Sequence, residues 1–216
     1  MRYSQSMASN GPAANGGTLR ERKRERTRAA IVEAGTRLFQ TDGYDETTIA
    51  AIAEAADIGA RTFFSYFESK EELLFPESTD RMNTTIAAIR NRRETDTPAD
   101  VLFAALVTVG VESDEMFSGT AGLRLRLAET VPAVRARATQ LQHEASTLIA
   151  RELCAAFPQL DPLEATALVG AFVGAVTAAL QYTFEEARDS DPALAADRMR
   201  RAVARVLGVR LESSAG

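Results

Sequence analysis

Residues 29–74 read AAIVEAGTRLFQTDGYDETTIAAIAEAADIGARTFFSYFESKEELL, and this stretch decides the fold. Apolar Ile31, Ala34, Leu38 and Phe39 recur at three- and four-residue steps, the period of one helix face. They continue a helix that opens near residue 19 and runs to about residue 40. Thr41-Asp42-Gly43 ends it, with Gly43 supplying a left-handed C-terminal turn. Thr48 caps a short helix over residues 49–55. Ala56-Asp57-Ile58 is a three-residue turn, and another short helix covers about residues 59–65. Two short helices on such a turn have the proportions of a helix–turn–helix, whose second helix can enter a major groove while the first crosses the backbone. Ile49, Ile52, Ala53, Ile58, Phe63 and Phe67 are placed to hold the pair against the first helix, leaving Arg61 and Thr62 outward. Ser69 is expected to cap a fourth helix opening at Lys70, with Glu71 and Glu72 near the positive end of its dipole.

Outward from this core, helical periodicity continues and no sustained period-two pattern or hairpin signal interrupts it. Residues 91–97 form a polar break, and Pro98 opens a helix to about Phe117. Ser118-Gly119 breaks it, and a shorter helix covers about residues 121–129. Pro132 begins a long helix to Phe157, which Pro158 closes. Asp161-Pro162 opens an uncharged helix to about Arg188, and Asp191-Pro192 opens the last, to Leu207. The expectation is an all-α chain of about nine helices. Residues 1–18 form a disordered tail, 19–68 a helix–turn–helix domain, 69–210 a larger helical body, and 211–216 a C-terminal tail.

The formal net charge of −5 over 216 residues conceals an asymmetry. Between residues 20 and 28 there are six basic and two acidic side chains, whereas the body is acidic. A basic arm on an acidic chain fits DNA binding through one small face. The same arm also reads as a solvated helix face with Arg and Glu four apart. The single cysteine, Cys154, excludes an intramolecular disulfide and reads as a packed thiol. No apolar leader precedes residue 18, so a cytoplasmic location is expected. Residues 165–184 carry no charge over a membrane-spanning length. Their Ala, Gly and Thr content, the flanking Glu164, Glu185 and Glu186, and the lack of aromatic–basic anchors favour instead a central helix buried on most sides.

The F-x-x-x-G-Y before Thr47-Thr48, the I-A-x-x-A-D-I turn, the R-T-F-F-S-Y-F helix and S-K-E-E-L-L together resemble the TetR family of bacterial transcriptional regulators. The resemblance implies that Thr48 offers its hydroxyl and nearby backbone N–H groups to a phosphate. It implies that Gly59, Ala60, Arg61 and Thr62 face base edges, and that Tyr66 and Lys70 contact phosphates. Arg26 and Arg28, and more remotely residues 20–24, would extend along the backbone or into the minor groove. Phe64 stands where the family often has a phosphate-binding Tyr, so that contact lacks its hydroxyl. Asp57 replaces the usual turn Gly, and Asp tolerates the left-handed conformation better than most residues. Whether Arg61 reads guanine or grips a phosphate stays open.

The same resemblance implies a body that dimerises and senses a small molecule. Gly170, Gly174 and Ala178, with Val203 and Leu207, are the dimerisation candidates, although this helix also reads as the monomer's own core. Phe103, Phe117, Leu123, Leu127 and Phe172 are candidates to line a pocket, with His143 and Gln181 as polar candidates. His143 also reads as a surface residue, and Gln181 and Tyr182 as part of the dimer seam. The implied protein is a homodimer on a double-stranded inverted-repeat operator, probing no membrane, without metal or cofactor, and released by an unidentified effector. Ligand-independent or activating regulation, or a helical adaptor, are the alternatives. Catalysis is not expected: there is no E-x-x-H pair, no phosphate-binding glycine motif and no Ser–His–Asp set.

Overall fold

The computed structural model describes residues 18–112, 119–186 and 192–210. Among them are nine α-helices and one 3-10 turn: α1 Leu19–Thr41, α2 Ile49–Ala55, α3 Ala60–Phe63, the 3-10 turn Lys70–Leu74, α4 Ser78–Arg90, α5 Pro98–Glu112, α6 Gly119–Thr130, α7 Pro132–Ala156, α8 Pro162–Glu186 and α9 Pro192–Leu207. Residues 1–17 of the tail expected over 1–18, the tail at 211–216, Phe117, and the far ends of the fifth and eighth helices lie outside the described residues, whereas Thr18 caps α1.

The local signals near the N-terminus have the predicted geometry. Thr48 accepts the Ala51 amide at 3.1 Å as the cap of α2, an interaction of about 1 kcal/mol. Gly43 and Asp57 both adopt positive φ, at 92° and 53°. Upstream, Thr18 and Glu21 form a reciprocal capping box, so α1 is helical from Leu19 and carries the basic arm as its first turns.

The fourth helix departs from expectation. Ser69 makes no side-chain cap, and residues 70–74 close into a single 3-10 turn. Pro76 explains this. It disfavours helical backbone at Phe75, which sits at φ −130° and ψ 41°, and it has no N–H to extend a helix. α4 therefore restarts at Ser78. α6 begins at Gly119, two residues before the expected start.

Two apolar clusters organise the molecule. Ile31, Phe39, Ile52, Phe63, Phe67, Leu73 and Leu74 pack beneath the helix–turn–helix, together with Leu123 of α6 and Val134 of α7. Ile89, Leu102, Leu106, Ile149, Leu153, Val169, Phe172, Met199 and Val203 form the core of the body. α8 is not buried on most sides. It covers Ala165, Val169 and Phe172, but only 17% of its apolar stretch is buried. The charge-free composition reflected an open apolar face, not an enclosed helix. Pro162–Glu185 is long and apolar enough to cross a bilayer, yet it packs along α7 and α9.

Candidate nucleic-acid interface

The exposed face of the helix–turn–helix is built by burying one side of α3. Phe63 is fully buried and Phe67 nearly so, whereas Gly59, Ala60, Arg61, Thr62 and Ser65 are exposed. Phe64 is 56% exposed and packs edge-on against Phe63. Gly59 has an ordinary φ of −74°, and a side chain there would begin 3.9 Å from Thr62 Oγ1, an ordinary van der Waals contact. What glycine contributes here is therefore a bare surface and not an unusual backbone. Arg61 extends from this face without an ion pair among the described residues. Backbone bonds from Ser65 and Tyr66 to Thr62 and Phe63 carry the helical path beyond the four residues of α3.

The arm runs beside this face. Arg20, Arg22, Lys23, Arg24 and Arg26 are exposed on the first turns of α1. The Arg24 guanidinium lies 5.4 Å from the centre of the half-buried Tyr66 ring, so arm and recognition segment touch through a cation–π contact. Arg28 is placed differently. Its Nη2 donates to the Pro76 carbonyl at 2.9 Å, and its guanidinium lies 5.0 Å from the Phe67 ring. It clamps α1 to the entrance of α4, a role its place in a basic run did not suggest.

Lys70 is also turned inward. Its Nζ donates to the Tyr44 and Thr47 carbonyls at 2.7 and 2.9 Å and sits 4.1 Å from the Tyr44 ring centre. This ties the 3-10 turn to the loop that ends at Thr48, fixing the start of α2 and placing a positive charge behind it. Tyr44 completes the strap by donating its hydroxyl to Glu71. Burial, then the hydrogen bond to Glu71, then the charges of Glu71 and Asp45 push the Tyr44 phenol well above its ordinary value. Burial alone would raise the Glu71 carboxyl. Hydrogen bonds from Ser69, Tyr44 and its own backbone, with the charge of Lys70, outweigh that and hold it below the ordinary range.

Tyr44 and Glu71 carried no sequence signal as a pair, because 27 residues separate them and only the fold joins them. The same is true of Arg137, whose Nη2 meets Glu72 Oε1 at 2.7 Å across 65 residues. Arg124, likewise, donates to the Leu74 carbonyl at 3.2 Å across 50.

The pocket candidates do not converge. Phe103 and Phe172 pack in the core of the body, while Leu123 and Leu127 belong to the cluster beneath the helix–turn–helix. His143 and Gln181 are exposed. None of these lines either of two sizeable cavities. One, of about 900 Å³, lies along α1 and the start of α4. The other, of about 670 Å³, lies between α8 and α9.

The dimer candidates divide as well. Gly170, Gly174 and Ala178 share an open face of α8, and nothing lies within 4 Å of where side chains at the two glycines would begin. Val203 is fully buried inside its own protomer, so it is a core residue and unavailable to a second chain. Leu207 packs at the edge of that core. Tyr182, a seam candidate, is 54% exposed, and Leu194 and Val206 of α9 are 57% and 63% exposed.

Among known proteins, the family described as "Bacterial regulatory proteins, tetR family" matches residues 31–75. The HTH-type transcriptional regulator TcmR of Streptomyces glaucescens is 32% identical over 146 residues, 65% of this chain and 65% of that one. The chain thus aligns with somewhat under two thirds of that relative's length. Among solved structures, FadR of Thermus thermophilus, described as a TetR family transcriptional repressor in complex with lauroyl-CoA, is similar with a TM-score of 0.54 and 22% identity, covering 88% of this chain and 99% of that one. The fatty acid degradation regulator FadR of Bacillus halodurans is similar with a TM-score of 0.56 and 16% identity, covering 84% and 95%. At these identities the two structures speak to the fold.

Proposed function

We infer that this chain is a TetR-family transcriptional regulator, a reading supported by the match of residues 31–75 to that family, that binds DNA as a two-fold dimer and is a repressor released by a small molecule. The observation that carries the reading is the exposed row Gly59, Ala60, Arg61, Thr62 and Phe64, backed by buried Phe63 and Phe67 and flanked by a helical basic arm. A short side-chain face on a rigid apolar backing suits base edges in a major groove, with Thr48 and Tyr66 at the flanking phosphates. Arg26 and its neighbours add electrostatic grip, while Lys70 and Arg28 serve by holding the reading unit in shape.

Dimerisation is supported by the open face of α8. Small residues at positions 170, 174 and 178 permit close helix approach, and exposed apolar residues of α9 border them. A second copy of the same face would cover this band and set two reading heads on one duplex. The effector is assigned to the body, where Phe103 and Phe172 pack between helices that would have to part to admit it. The T. thermophilus FadR is described with lauroyl-CoA, and a compound with an apolar portion is the corresponding expectation for this chain. Release requires unequal affinity of the effector for the DNA-competent and incompetent forms. A hundredfold loss of operator affinity corresponds to about 2.7 kcal/mol of coupling.

The test is selection from a pool of random duplexes, with sedimentation of the free protein. The expected result is a dimer that enriches an inverted repeat whose halves lie about one turn, roughly 34–36 Å, or a multiple apart. A chain that stays monomeric and enriches nothing would overturn the reading.

A further inference from the structure

The 3-10 turn Lys70–Leu74 is where the reading unit meets the body, and its polar contacts form a directed path. Glu72 Oε2 accepts the amide of Glu68, the residue that follows the recognition segment, at 2.9 Å. Its other oxygen accepts from Arg137 of α7 at 2.7 Å. One carboxylate therefore joins the end of the recognition segment to a helix of the body. The pair is well shielded, with side-chain exposures of 26% for Arg137 and 18% for Glu72, so its charge-assisted bond is less screened than a surface pair. The Nε of Arg137 is buried without a partner among the described residues, which leaves Glu72 as the group there that orients this guanidinium. Nearby, Arg124 of α6 donates to the Leu74 carbonyl and stacks toward Phe75 at 5.8 Å. Apolar contacts from Leu123 and Val134 also cross this junction, but they are non-directional and tolerate sliding, whereas the carboxylate relay fixes an angle.

We propose that Arg137, acting through Glu72, is a positioning residue that fixes the angle of the recognition segment to the body and thereby the half-site spacing the dimer accepts. The proposal rests on the reading above, that two such heads sit on one duplex. One inserted base pair turns a half-site by roughly 34–36° and moves it along the axis by about 3.4 Å, because a turn holds 10–10.5 base pairs. A head held at one angle rejects that displacement, and a head free to swivel follows it.

The probe is the inverted repeat enriched by the wild-type chain, remade with its spacer lengthened or shortened by one and two base pairs. The wild type should lose about tenfold or more in affinity per base pair of change. Arg137→Leu should lose no more than about threefold, and Arg137→Lys, which keeps the charge, should lie near the wild type. Glu72→Gln removes the ion pair from the other side with little change of shape and should flatten the spacing preference as Arg137→Leu does. Thermal melting of each variant establishes that it is folded. If Arg137→Leu and Glu72→Gln keep the full spacing preference, or lose affinity equally at every spacing, the assignment is overturned while DNA reading stands. If the wild type enriches no repeat at all, the DNA-reading premise falls and this assignment falls with it.

Discussion

Replacing Gly35 by alanine sets two effects of opposite sign against each other. Gly35 lies in the middle of α1 and is buried. On an open helix the change would stabilise by about 1 kcal/mol, through helix propensity alone. At this position an added methyl would come within 2.3 Å of Leu73 Cδ1, far inside van der Waals contact. Leu73 is fully buried in the cluster beneath the helix–turn–helix, so its end cannot swing into solvent. Overpacking of this kind costs about 1–3 kcal/mol, so Gly35→Ala should destabilise by about 0–2 kcal/mol net. Leu73→Ala alone should cost about 2–5 kcal/mol through the cavity it leaves. In the double variant the new methyl partly fills that space, and the combined loss should fall short of the sum by about 1 kcal/mol or more. The assay is urea unfolding of the four proteins at one concentration, comparing midpoints at unchanged slope. A higher midpoint for Gly35→Ala, or strict additivity, would refute the claim that this glycine exists to admit Leu73.

Other consequences are open to direct test. Arg61→Ala should flatten base preference at one position per half-site by about 1–3 kcal/mol, read from a panel of single-base operator variants; an equal loss on all sequences would assign Arg61 to a phosphate. An alkaline titration of phenolate absorbance should show a late phase that Tyr44→Phe abolishes. Because this phenol is raised on folding, its contribution is fully present below the ordinary tyrosine value of about 10 and is lost as pH rises through the folded value. Titration curves that differ only by one ordinary tyrosine would remove the buried strap from consideration. Ala178→Glu places a charge on the open face of α8 and should shift the sedimenting species from dimer to monomer with helix content unchanged; an unaltered dimer would locate the seam elsewhere.

What could be read directly from the chain were features written in adjacent residues. The Thr48 cap, the positive-φ turns at Gly43 and Asp57, the proline starts of α5, α7, α8 and α9, and the buried set Ile52, Phe63 and Phe67 each depend on neighbours within a few positions. The inward bonds of Lys70 and Arg28 left no mark in the sequence, because a cation in a basic neighbourhood says nothing of carbonyls that approach from other elements. The expected fourth helix is absent at Lys70 for a local reason: Pro76 lies too close to Ser69 to leave room for one. The pocket candidates scattered because apolar residues on α5, α6 and α8 have the same periodicity whichever core they enter. α8 was misplaced on burial because composition records how apolar a helix is, but not whether its covering is supplied by its own chain.

That uncovered band on α8 links assembly to folding by mass action. If a second copy seals it, dilution both separates the subunits and removes part of what keeps each one folded, so the melting temperature should climb with protein concentration. In the cell, such a regulator would be least durable when scarce, and newly made copies would be rescued from proteolysis by finding one another.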